Sequence, residues 1–70
     1  MNHDELIHRI EVQLVELKMP RWKLAKLLKL SPASLSQRMN GVVKFSISEL
    51  VYIFKILRFS DDQILGLMKI

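Results

Sequence analysis

The chain has no cysteine, so no disulfide or thiolate metal site can staple it, and nothing in it reports on a redox compartment. Its two histidines, His3 and His8, lie five residues apart and suit no standard zinc spacing. Glycine and proline number two each, and no polar–apolar alternation runs long enough for a good strand. No apolar run approaches the roughly 18 residues needed to cross a bilayer. The opening "MNHDEL" is polar and acidic rather than basic and then apolar, so no secretory signal is read there. There is no nucleophile beside a base, no carboxylate pair placed for a cleft and no glycine-rich phosphate loop. These absences predict a soluble, cytoplasmic, all-helical protein that is not an enzyme and carries no cofactor or metal.

What remains must fold on apolar burial alone. Seventy residues leave room for one domain, spanning 1–70, and a chain of that size buries only about 60% of its unfolded surface. Half of its residues are apolar and its mean hydropathy is +0.19. That surplus predicts that some apolar surface meets a second copy or a partner.

The net charge of +4 conceals a sharper asymmetry. Residues 1–16 carry Asp4, Glu5, Glu11 and Glu16 against Arg9, a balance of −3. Residues 17–48 carry Lys18, Arg21, Lys23, Lys26, Lys29, Arg38 and Lys44 and no acid, a balance of +7, while residues 49–70 balance to zero. A one-signed field in mid-chain attracts polyanions. The plainer reading of Lys23, Lys26 and Lys29 is a solvated helix face.

Caps and periods predict five helices. Asn2, with Glu5 three residues on, opens the first, whose stripe is Leu6, Ile10, Leu14 and Leu17 with Ile7 beside it. Met19-Pro20 should end it, and Pro20 should open a second helix over about 20–28 that buries Leu24, Ala25 and Leu28. Ser31-Pro32 starts the third as N-cap and first helical residue; Leu35 and Met39 face inward, and Asn40-Gly41 closes it. Ser46 and Glu49 form a capping box for the fourth, with Phe45 stapled onto Leu50 and Leu50, Ile53, Phe54 and Leu57 as its inner stripe. Phe59, Ser60, Gln63 and Ile64 repeat that grammar for a fifth helix to about Met68. The fold class is an all-α, compact five-helix bundle.

Helices two and three, meeting at "KLSPA", must cross steeply to share a core, and Ala25 is the small residue that allows it. Arg21, Leu24-Ala25, Lys29, Leu30-Ser31, Leu35-Ser36 and Asn40-Gly41 stand in the register of a helix-turn-helix over about 20–41. In that register the chain resembles the lambda-repressor and Cro family, across about residues 4–68. Two positions depart from the family pattern. The turn position often holds Gly; here it is Lys29, where positive φ costs roughly 1 kcal/mol, so an altered turn is one outcome. Arg38 stands where an apolar residue is common, which predicts that Met39 packs and Arg38 turns outward to grip phosphate.

The resemblance implies a DNA-binding transcriptional regulator, of the kind found in phages and mobile elements, with the helix 31–40 in the major groove. Base edges would meet Pro32, Ala33, Ser36 and Gln37; only Gln37 is a strong hydrogen-bonding reader, suited to adenine. Phosphates would meet Arg21, Arg38, Asn40 and Lys44. Trp22 has two readings, packing back onto the first helix near Leu17 or contacting a DNA sugar-phosphate edge or a partner protein, whereas His3 and His8 read as bystanders. Val51, Tyr52, Ile56 and the ending "ILGLMKI" exceed the needs of one core, so a homodimer through Leu65, Met68 and Ile70 is expected on a double-stranded DNA operator. A second function class stays open: an antirepressor that masks a larger repressor, or an antitoxin, with Trp22 and Leu27 at the protein interface.

Overall fold

The computed structural model describes residues 2–68, and they form five α-helices with no strand. In order these are α1 (His3–Glu16), α2 (Arg21–Leu27), α3 (Pro32–Met39), α4 (Ile47–Ile56) and α5 (Asp61–Met68). Together they fill a body of 29 × 25 × 19 Å. The expected all-α architecture is therefore present, and no helix of the described residues is long and apolar enough to cross a membrane.

One core joins all five helices. Leu6, Ile7, Ile10 and Leu14 enter it from α1, Leu24 and Ala25 from α2, Leu35 and Met39 from α3, Ile53 and Phe54 from α4, and Leu67 from α5. Ile10, Leu24, Leu35, Ile53 and Leu57 are its most deeply buried large side chains. Apart from Leu67, these are the residues that the helical period placed inward. Leu17 and Leu50, also expected there, are half-buried and pack against the cluster from its edge.

The helix starts follow from local hydrogen bonding. Asn2 Oδ1 accepts from the Glu5 amide at 3.2 Å and Ser31 Oγ from the Ser34 amide at 3.1 Å. Both capping boxes close: Ser46 with Glu49, and Ser60 with Gln63, each exchanging two bonds of 2.9–3.2 Å. Each cap satisfies amides that have no partner inside the helix. Pro20 differs from expectation by one position. Its ψ of 155° makes it the extended N-cap of α2 rather than its first residue.

The helix stops hold a regularity. After α1, α2 and α4 the chain runs Leu17-Lys18-Met19-Pro20, Leu28-Lys29-Leu30-Ser31 and Leu57-Arg58-Phe59-Ser60. In each, the leucine caps the helix, and the cation turns left-handed, at φ 53° for Lys18, 58° for Lys29 and 57° for Arg58. The apolar residue then donates its amide back to the carbonyl five residues earlier: Met19 to Leu14 at 2.8 Å, Leu30 to Ala25 at 2.9 Å and Phe59 to Phe54 at 2.9 Å. This is the Schellman arrangement, in which the residue after the left-handed one folds its side chain onto the helix it has just left. Gly41, at φ 80°, makes the same stop after α3. Consequently α1 ends before Met19-Pro20, at Glu16, because Lys18 has already reversed the chain.

A lysine at φ 58° is strained relative to glycine by about 1–2 kcal/mol. Lys29→Gly should therefore raise stability, by up to about 1 kcal/mol once glycine's larger unfolded entropy is subtracted. Lys29→Val should lower it, since a branched side chain tolerates positive φ worst. Urea denaturation followed by circular dichroism checks both signs; two shifts in the same direction would contradict this account.

Candidate nucleic-acid interface

The helix-turn-helix register puts α2 and α3 in contact, joined by the corner at Leu28–Ser31. Leu24 and Ala25 from α2 and Leu35 and Met39 from α3 are buried in the shared core. With one face of α3 committed inward, its other face is open. Pro32, Ala33, Ser36 and Gln37, the expected base readers, are all exposed and lie together along it. Asn40 and Lys44, just past the end of α3, are exposed as well.

Two basic residues need separate treatment. Arg21 lies at the start of α2 with its guanidinium 3.6 Å from the Glu11 carboxylate, both side chains about half exposed. An ion pair that open to water contributes at most about 1 kcal/mol and competes poorly with a phosphate. Arg38 does not turn outward as expected. Its side chain is only 18% exposed, and Nε donates to Glu49 Oε1 at 3.0 Å while a terminal nitrogen donates to the Ser34 carbonyl at 3.0 Å. The reason is Glu49, eleven residues on, which offers a carboxylate at the start of α4 beside the end of α3. The same Oε1 accepts the Ser46 amide at 2.9 Å, so one oxygen both caps α4 and anchors α3.

Burial pushes the Glu49 carboxyl up, but the Ser46 amide and the Arg38 guanidinium outweigh it and hold the group below its usual range. Its charged form is thus favoured by folding.

His3 is no bystander. Its Nε2 lies 3.0 Å from the Arg38 carbonyl and donates to the last turn of α3. A Cβ built on Gly41 would come within 3.4 Å of the same ring. His8, by contrast, is exposed. Gln13, a residue that periodicity treats as polar surface, donates to the Leu57 carbonyl at 2.6 Å and closes the end of α4. Sequence spacing gives no signal for either contact, because the partners are 35 and 44 residues away.

Trp22 is 61% exposed, which overturns its packing onto α1 near Leu17 and leaves it open to contact DNA or a partner protein. Leu65 and Met68 are 66% and 54% exposed on α5, and Val51 and Tyr52 are open on α4. Val51, Ile64 and Met68 border a groove between those two helices. Ile56 is half-buried and packs on the core. Ile70 lies outside the described residues. Among the described residues no group of three His, Asp or Glu side chains could hold a metal ion. Comparison with protein-family models, curated proteins and solved structures finds no match for this chain.

Because Glu49 ionises more readily in the folded chain, its contribution is complete above the usual carboxylate range and is lost as pH falls through and below it. Glu49→Gln should therefore be less stable than the wild type near neutral pH and nearly equal to it near pH ~3. Thermal melts across that range test the convergence. A constant gap between the two proteins would show that the Glu49 charge plays no part.

Proposed function

We propose that the protein is a DNA-binding transcriptional regulator of the lambda-repressor/Cro type that places α3 in the major groove. The observation that carries this reading is the open outer face of α3, set on α2 by a tight corner, within a 32-residue stretch (17–48) that holds seven cations and no acid. Gln37 is the main base reader, by paired hydrogen bonds to adenine. Ser36 is permissive, and Pro32 and Ala33 offer only apolar contact to a thymine methyl. Phosphate positioning falls to Arg21, Asn40 and Lys44, with Arg38 holding α3 from behind. A recognition face this poor in hydrogen-bonding groups leaves part of the specificity to DNA shape.

The exposed apolar residues of α4 and α5 support a homodimer. Leu65 and Met68, with Val51 beside the groove, form its centre, and a two-fold partner would set two copies of α3 one DNA turn, about 34 Å, apart. Exposed Trp22 favours the second reading, a protein-binding module acting as antirepressor or antitoxin.

Binding to an arbitrary labelled duplex, measured by fluorescence anisotropy from low to physiological salt, should weaken with a log–log slope of about −0.9 per phosphate contacted. Arg21→Ala should reduce that slope by about 1. On a selected operator, Arg21→Ala with Gln37→Ala should abolish binding and leave the helical spectrum intact. Full activity in that double variant would sink the DNA reading. Separately, Leu65→Lys with Met68→Lys should convert a dimer to a folded monomer in sedimentation experiments. A wild-type protein that sediments as a monomer at all concentrations would exclude this dimer.

A further inference from the structure

The outer side of α2 carries a surface to which the DNA reading assigns no direct contact. Trp22 and Leu27 stand on the two flanks of a shallow groove, and Pro20 lies at its head. Lys18, Lys23, Lys26 and Lys29 line the rest of it. No carboxylate lines it, and none of these lysines forms an ion pair among the described residues. The only cation of α2 with an acidic neighbour is Arg21, whose partner Glu11 lies outside the groove. Lys23 and Lys26 fall three residues apart on α2, a spacing at which like charges repel. The arrangement leaves Trp22 in water beside four ammonium groups that have no acidic partner among the described residues.

We infer that this groove of α2 is a docking surface for an acidic protein segment carrying a large apolar residue, bound separately from the α3 face. Charge complementarity selects the sign of the partner, since only an anion offsets four unpaired lysines at once. The exposed tryptophan selects the rest. Large aromatic side chains with cationic neighbours are typical anchors of protein interfaces, and covering one requires an apolar group from the partner. Nucleic acid fits this surface less well. A duplex backbone offers Trp22 only the small edges of its deoxyribose rings, and single-strand platforms stack successive bases on several aromatics, whereas this groove holds one. The residues expected to read bases, Pro32, Ala33, Ser36 and Gln37, do not line it, so the groove is distinct from the base-reading face.

Trp22 is the only tryptophan, so its emission reports on this groove alone. The test titrates the full chain, without DNA, with a synthetic amphipathic peptide that has Leu at i, i+3, i+4, i+7 spacing and Glu elsewhere. The expected result is a shift of Trp22 emission to shorter wavelength and binding that tightens as salt is lowered. Lys23→Glu with Lys26→Glu should weaken that binding by about tenfold or more, with the helical spectrum unchanged. Trp22→Ala, followed through a labelled peptide, should weaken it comparably. Three results would overturn the proposal. One is no emission shift at saturating peptide, or an equal shift with a peptide carrying Gln in place of Glu. Another is tighter binding to oligo-deoxythymidine than to the acidic peptide. The third is the same emission shift produced by raising the protein concentration alone, which would mean that a second copy covers the groove.

Discussion

Everything in this small fold depends on stopping a helix within one residue and restarting the next three residues later. A chain without disulfides has to bring five short helices onto one core, and long connections would leave their apolar faces unpaired. The four-residue corner Leu–cation–apolar–cap solves this three times, at Leu17–Pro20, Leu28–Ser31 and Leu57–Ser60. The left-handed residue reverses the chain, and the apolar residue after it returns to the core, which is why Met19 and Leu30 are half-buried and Phe59 is fully so. Phe59 goes on to meet the Phe54 ring at a centroid distance of 5.2 Å. The burial obtained at each corner offsets the strain of a non-glycine in the left-handed region.

Once the corners set the crossing geometry, α1 fixes the helix ends. Its first turn holds the end of α3 through His3, and its fourth turn holds the end of α4 through Gln13. Arg38 and Glu49 tie α3 to α4 on a third side. All the polar attachments of α3 to the rest of the chain lie on its inner side or in its last turns. Its first turn and outer face are left free.

The helix starts were legible in the sequence because their signals are local. Ser46 with Glu49, Ser60 with Gln63, and Ser31 before Pro32 each announce themselves within four residues. So did the core, because the inward residues of α1, α3 and α4 obey a helical period. The stops at Gly41 and at Lys29, the turn position of the helix-turn-helix register, were legible, and Met19-Pro20 marked the first boundary; Lys18 and Arg58 as left-handed residues were not, because a reader looking for glycine passes over them. The recurrent Leu–cation–apolar triplet was the available signal. Arg38 was misplaced because its partner enters from another helix. His3 was missed because a side chain reaching across 35 residues has no local signature. Trp22 was ambiguous for a different reason: α2 is only seven residues long, so small changes in its crossing angle decide which flank is covered. The open face of α3 was expected from its spacing, and its chemistry rests on side chains that spacing alone cannot rank.

The corners also bind two properties together that other chains keep apart. Glycine is the easy choice for a left-handed stop, yet it brings no charge. At Lys18 and Lys29 the chain keeps a strained backbone and so keeps two of the four ammonium groups beside Trp22. Drift toward the more stable residue would discharge that surface. Stability and partner selection are therefore opposed at the same two positions, and a homologue with glycine in both would have a firmer fold and a different choice of company.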